Sequence, residues 1–298
     1  MNMETHLRAD RFQLNRRLKW RWVVVALLFS LAGCLAPTSQ SSFGAEHWFP
    51  NNPKAQALAV AAERGDAAEI QRLMKVEGVN PNMTFSKERL PMLVWPIHTK
   101  NPTGLKAMLE SGANPNARFP IPEIELFKDG SYSVSFKNNA MVWAAKASDP
   151  TYLKLLLDHG GDPNTRNSND ETLLVQAFLS GNAWENVKLL VERGADINAE
   201  SQSTPFVTEY ASGGDFQSTY WLLEHGANPD NDSDDPEYKS TINSIFWHPG
   251  NPKNPAWQRK CQQWLLERGY KRPPLTKQYR EMRKRLGFPY KESEIPLL

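Results

Sequence analysis

Residues 105–116 read LKAMLESGANPN, a leucine-rich segment that ends in a glycine and continues into two asparagines around a proline. Gly112 can adopt the left-handed backbone conformation that ends a helix, because it has no Cβ to clash. Asn114 precedes a proline and therefore avoids the helical region of backbone space. The stretch predicts a short amphipathic helix followed by a turn that leads the chain away from it.

Related turns follow leucine-rich segments at four other places, residues 78–82, 160–164, 194–198 and 226–230, so the chain contains five copies. The intervals between their first glycines are 34, 48, 34 and 32 residues. In each copy, another helical segment lies before the leucine-rich one, and a short polar break separates the two. Two helices and a projecting loop in about 33 residues predict a solenoid, in which neighbouring units supply the core that one pair of short helices cannot form.

In its period and its turns, the region from about 55 to 235 resembles the ankyrin-repeat family. A degenerate sixth unit that ends at Gly269 extends the resemblance to about residue 274. The resemblance implies an all-α ankyrin-repeat solenoid of about five to six repeats over residues 54–274. The sequence departs from the family where the first helix of each pair begins, because the Thr-Pro-Leu-His motif survives only in residues 204–207 and weakly in 171–174.

The longest interval contains an insertion, residues 117–139, in which apolar residues alternate around Lys128-Asp129-Gly130. That pattern predicts a β-hairpin. The family resemblance places the hairpin in a finger loop beside the concave binding face. We expect it to contact a partner, although a surface hairpin that touches no partner explains the pattern equally well. The candidate contact residues are Phe127, Lys128, Asp129 and Tyr132.

Charge is distributed unevenly along the chain. Residues 158–235 contain fifteen acidic and three basic residues, whereas residues 253–291 contain twelve basic and two acidic ones. The acidic region favours a basic partner and disfavours nucleic acid, and we expect Asp232, Asp234 and Asp235 to contact that partner. The basic C-terminal cap, residues 275–298, is compatible with a solvated end to the last repeat or with binding to anionic lipid headgroups.

The first 33 residues have the pattern of an export signal. Six basic and two acidic residues are followed by an eleven-residue apolar segment, residues 22–32, which is too short to cross a bilayer. The quartet Leu31-Ala32-Gly33-Cys34 follows and resembles a bacterial lipoprotein signal, which implies cleavage before Cys34 and acylation of its thiol. An ordinary secretory signal and an uncleaved anchor are the alternatives.

By the same resemblance, Leu35 after the cysteine implies sorting to the outer membrane, facing the periplasm of a Gram-negative bacterium. Residues 34–53 mix Pro, Ser and Asn without periodicity and predict a flexible tether. Cys261 is the only other cysteine, so a disulfide within the mature chain is excluded, and we expect it to be buried.

Sequence motifs for catalysis, metal binding or nucleotide binding are absent from the chain. His159 and His225 lie at predicted helix ends, where an imidazole can bond to the last carbonyls. We therefore expect a monomer without a cofactor, not an enzyme, that binds another protein and is held to the membrane by its lipid anchor.

The leading hypothesis is an immunity protein that holds a secreted antibacterial toxin inactive in the periplasm. A scaffold that stabilises a resident periplasmic enzyme would have the same sequence features. The remote alternative is an enzyme whose site is assembled from distant residues.

Overall fold

The computed structural model describes residues 42–126, 132–135, 137–201, 205–230, 240–250 and 255–297. Residues 45–298 form one compact unit. The predicted signal peptide and Cys34 lie outside the described residues, so their assignment stays a prediction. None of the helices formed by the described residues is long and apolar enough to span a membrane.

The described residues from 53 to 267 form consecutive pairs of antiparallel helices, preceded by α1 (Ser42–Trp48). The pairs are α2 (Pro53–Arg64) with α3 (Ala67–Gln71, extended by a π-helical turn, Arg72–Val76), α4 (Val94–His98) with α5 (Pro102–Glu110), α6 (Ala140–Ala145) with α7 (Thr151–Asp158), α8 (Leu173–Leu179) with α9 (Trp184–Glu192), α10 (Val207–Ser212) with α11 (Phe216–Glu224), and α12 (Ser240–Trp247) with α13 (Ala256–Glu267). A last helix, α14 (Lys277–Arg285), and a 3-10 turn (Glu292–Glu294) follow the sixth pair.

The helix boundaries follow from local chemistry. The side chains of Asn101 and Asp215 accept hydrogen bonds from backbone amides three residues further on, which satisfies donors at the start of α5 and α11. At the other end of α5, Gly112 has a φ of +104°, and the corresponding glycines of the other predicted turns also have positive φ. The predicted helix-ending turns are therefore confirmed.

Packing between neighbouring pairs forms one elongated core. First helices of neighbouring pairs lie against each other, as α4 does against α6 and α10 does against α12, and second helices do so as well, as α5 does against α7 and α11 does against α13. One hydrophobic cluster extends from Ala45 to Ile295. Since each pair buries its apolar side against its neighbours, the array is the solenoid that the repeat period predicted.

A ladder of hydrogen bonds joins the turns. The Asn164 side chain donates from Nδ2 to the Gly194 carbonyl (3.2 Å) and accepts at Oδ1 from the Asp196 amide (2.7 Å). Asn82, Asn116 and Asn198 make two equivalent bonds each, one to the glycine carbonyl of the next turn and one from the backbone amide two residues after that glycine. The fifth turn has Asp230 at this position, and an ionised carboxylate has no hydrogen to donate.

Asn164→Asp tests the ladder. The carboxylate keeps an acceptor for the Asp196 amide but loses the donor to the Gly194 carbonyl, which it then faces with a negative charge. We expect the free energy of unfolding to fall by about 1 kcal/mol in urea titrations. Gln217→Glu makes the same chemical change at an exposed position of α11 and should leave stability within about 0.5 kcal/mol. Equal stability of the two variants would contradict a stabilising ladder.

The prediction of a flexible tether over residues 34–53 is wrong for its second half. Residues 42–48 form α1, because Ala45 and Phe49 are four residues apart and both are buried. The Trp48 ring meets the Trp95 ring edge-on, with centroids 5.1 Å apart. The end of this short helix therefore packs against α4 instead of moving freely.

The C-terminal end is covered by α14. Tyr279 and Arg283 are buried on one side of this helix. The Tyr279 and Ser244 hydroxyls are 2.6 Å apart, and Arg283 donates from Nη1 to the Trp247 carbonyl at 3.0 Å. These contacts hold α14 against α12, and residues 275–285 therefore close the array as a cap.

Candidate functional site

The predicted hairpin is present between the second and third helix pairs. Strands β1 (Glu123–Leu126) and β2 (Tyr132–Ser135) pair antiparallel, with Ile124 opposite Val134 and Leu126 opposite Tyr132. Three candidate contact residues, Phe127, Lys128 and Asp129, lie outside the described residues, and of Tyr132 only the backbone is described. Their role as contacts therefore stays a prediction.

The base of the hairpin is fixed to the finger loop of the first repeat. The Phe85 and Phe119 rings meet edge-on, with centroids 5.1 Å apart, and the Arg89 guanidinium lies 5.1 Å from the Phe119 ring centroid. Glu123 of β1 pairs with Arg89 (3.8 Å) and with Lys137 (3.0 Å). Aromatic packing and ion pairs thus hold the hairpin at a defined place beside the first loop.

Apolar side chains are exposed on these two loops. Ile124 and Leu126 are 64% and 77% exposed, and Ile121 and Met83 are 61% and 66% exposed. We call these four residues the finger face. Ile124 and Leu126 alternate with Glu123 and Glu125, so they lie on one side of the β-ribbon. Large exposed apolar side chains concentrated on neighbouring loops are typical of a binding surface.

A groove of about 620 Å³ lies between the turns that follow α4 and α6. The half-buried Trp143 ring stands edge-on to the exposed His98 ring, with centroids 6.5 Å apart, and His98 also lies 4.9 Å from the Trp48 ring. Tyr152 forms part of the wall, and burial, assisted by Asp149, raises the pKa of its hydroxyl. The other polar lining residues are Lys100, Asn138, Lys146 and Ser148.

Among the described residues, no cluster of three or more metal-ligating side chains occurs here or elsewhere.

The acidic half of the array lies within residues 158–235, where acidic residues outnumber basic ones fifteen to three. Its three basic residues are paired with acidic ones, Arg166 with Asp170 (3.5 Å), Lys188 with Glu185 (2.8 Å) and Arg193 with Asp158 (2.7 Å). Hydrogen bonds from Lys154 and Arg193 hold the pKa of Asp158 below its usual range. On α10, burial raises the pKa of Glu209. The candidate contacts Asp232, Asp234 and Asp235 lie outside the described residues.

Two predicted structural residues behave as expected. His159 Nδ1 lies 2.8 Å from the Leu155 carbonyl, and His225 Nδ1 lies 2.7 Å from the Trp221 carbonyl, each at the end of a helix. Their interpretation as helix-ending residues is confirmed. Cys261 is fully buried on α13, as predicted, and burial raises the pKa of its thiol.

Helix pairs stacked in one direction, with finger loops at one edge, define the class of repeat solenoids that present an extended surface. A family model described as ankyrin repeats (3 copies) matches the chain over residues 124–201 and 141–233. The chain has an ankyrin-repeat fold, as its turns predicted.

Two solved structures share the fold. The ankyrin-repeat domain of Bcl-3, a member of the IkappaB protein family, is 23% identical with a TM-score of 0.52, over 72% of this chain and 86% of that one. An ankyrin-repeat domain from Acinetobacter baumannii AYE is 20% identical with a TM-score of 0.51, over 72% of this chain and 98% of that one. No curated protein matched the sequence. These comparisons indicate no catalytic family, and ankyrin repeats generally act as protein-interaction modules.

Proposed function

We propose that this chain is a lipid-anchored periplasmic scaffold whose finger face binds one other protein, and that the partner is a basic secreted toxin which the scaffold holds inactive. The observation that carries the binding proposal is the exposure of Met83, Ile121, Ile124 and Leu126 on a hairpin and loop that are fixed to each other. Fully burying a leucine or isoleucine contributes about 1.5–3 kcal/mol, so a few such side chains can form the centre of an interface.

Charge supports the choice of a basic partner. Ion pairs hold the three basic residues of the acidic half, and acidic residues outnumber basic ones fifteen to three within residues 158–235. A surface of one sign speeds the arrival of a partner of the opposite sign, mostly through the association rate. The same charge disfavours nucleic acid. A cationic toxin that must be captured as it arrives fits a surface of this kind.

The lipobox motif supports the proposed location. Leu31, Ala32 and Gly33 before Cys34 match the residues that a lipoprotein signal requires, and acylation would keep the scaffold at the membrane surface that an incoming toxin meets. Leu35 supports the outer membrane, facing the periplasm.

Metabolic labelling with a fatty-acid analogue tests the anchor. Cys34→Ala should abolish labelling and leave an unprocessed precursor, whereas Cys261→Ala should label normally because the Cys261 thiol is buried. Labelling that persists in Cys34→Ala would refute the lipobox assignment.

The toxin role is tested in producing cells. If the scaffold is an immunity protein, deleting its gene should make the cell sensitive to a toxin produced by its siblings, and expression of the intact chain should restore growth. If deletion instead lowers the activity of a resident periplasmic enzyme and leaves growth beside siblings unchanged, the partner is that enzyme and the toxin proposal fails.

A further inference from the structure

The last part of the chain carries a basic surface that lies outside the finger face. Residues 268–297 contain nine basic and three acidic residues. Two of the three carboxylates interact with other groups of this segment. Glu292 accepts a hydrogen bond from the Leu275 amide (3.0 Å), and Glu294 forms an ion pair with Lys291 (3.1 Å). The segment therefore presents a net positive surface.

The orientation of α14 is fixed by its buried side. Tyr279 and Arg283 bond to α12, so the opposite side of the helix faces solvent. The exposed cations on α14 and its flanking turns are Lys271, Lys277, Arg280, Lys284, Arg285 and Lys291. We call this set, together with the apolar residues described next, the cap surface.

Apolar side chains are exposed among these cations. Leu286 is 54% exposed, Tyr290 is 39% exposed and Leu297 is 48% exposed. Gly287 has a φ of +76°, which turns the chain back after the helix, and the Lys284 ammonium lies 5.9 Å from the Tyr290 ring centroid. Leu286 and Tyr290 therefore lie close to the cations at the C-terminal end of α14.

We propose that the cap surface binds an anionic lipid bilayer. Lysine and arginine side chains near a bilayer are attracted to acidic headgroups, while exposed leucine and tyrosine side chains enter the interfacial layer between headgroups and hydrocarbon. A nucleic acid would use the cations but has no comparable place for aliphatic side chains. The mixture of cations with exposed Leu286, Tyr290 and Leu297 thus favours a membrane.

This contact adds to an acyl anchor and does not depend on one. A single acyl chain gives only marginal membrane binding, and a basic patch is one of the second signals that make binding stable. The inference is also independent of the proposed protein partner, because the cap surface and the finger face consist of different residues.

Vesicle sedimentation tests the proposal without the acyl group. A fragment of residues 35–298 lacks Cys34 and keeps every described residue, including the compact unit 45–298. We expect it to sediment with vesicles of phosphatidylcholine and phosphatidylglycerol, to remain in solution with phosphatidylcholine alone, and to be released by 1 M salt, which reduces the Debye length to about 3 Å.

Matched charge reversals locate the contact. Lys284→Glu with Arg285→Glu should weaken partitioning onto anionic vesicles at least about tenfold. Lys75→Glu with Lys106→Glu makes the same change in net charge on the exposed surface of the first two repeats and should sediment like the parent fragment. Leu286→Ser with Tyr290→Ser should weaken partitioning with no change in net charge. Circular dichroism confirms that each variant is folded.

Three results would overturn the proposal: equal binding to neutral and anionic vesicles, equal losses in the cap and control charge reversals, or binding to a polyuridine RNA that exceeds binding to anionic vesicles. Partner capture and fatty-acid labelling are separate measurements. Failure of the vesicle experiment therefore leaves the proposed function standing, and failure of the proposed function leaves this inference standing.

Discussion

Gly104→Ala is expected to lower the free energy of unfolding by about 2–3 kcal/mol, although alanine is normally the better helix former. Gly104 lies on α5 where this helix crosses the C-terminal end of α2. A Cβ atom at this position would lie 1.9 Å from the Ala62 carbonyl oxygen and 2.7 Å from its carbonyl carbon. Both are backbone atoms that cannot rotate away, so the two helices would have to separate.

Urea unfolding measures the effect, and Gly213→Ala is the matched control. An added Cβ on Gly213 would meet its nearest neighbour, the Glu209 carbonyl oxygen, at 3.4 Å, and the backbone there is helical with a φ of −78°. The control should be neutral, or more stable by up to about 1 kcal/mol. If Gly104→Ala is as stable as the parent, α2 and α5 do not approach as closely as described.

Replacing Ile124 and Leu126 together with serine is expected to weaken partner binding by about 10- to 100-fold. Both side chains are more than 60% exposed, so their removal should cost the folded chain little. In a complex both side chains would be buried. Replacing each of them with serine would then remove about 1 kcal/mol or more of binding free energy. The thermal midpoint should stay unchanged.

Calorimetric titration with the protein captured from periplasmic extract measures this loss. Val76→Ser with Leu179→Ser removes two apolar side chains, 79% and 60% exposed, from helical surfaces outside the finger loops. This control pair should bind like the parent chain. Equal losses in both double variants, or none in the hairpin variant, would mean that the finger face is not the contact surface.

The turns and second helices were predictable because their chemistry is local. Gly112 with the following asparagine and proline specifies its turn within five residues, and each other copy has an asparagine or aspartate two residues after its first glycine. In the leucine-rich second helices, Leu105, Leu153 and Leu190 are fully buried, as an amphipathic helix requires. Leu189, which precedes Leu190 on α9, is only partly buried.

Helix α1 and the four residues of the finger face were missed for different reasons. The signal for α1 is a single spacing, from Ala45 to Phe49, within a segment rich in proline, serine and asparagine. Exposure is a property of the assembled chain, so neither Met83 nor Ile121 could be recognised as a contact. Ile121 lies between Pro120 and Pro122, which predict an extended backbone and indicate nothing about what covers it.

The asparagine ladder has a consequence for the thermodynamics of recognition. Because each of the first four turns shares an asparagine side chain with the next, one series of hydrogen bonds links the turns from Asn82 to Asn228. Loops that are already ordered lose little conformational entropy when a ligand protein arrives. A modest contact area can therefore give useful affinity. Removing one of the linking asparagine side chains should weaken affinity even where that side chain does not contact the partner protein.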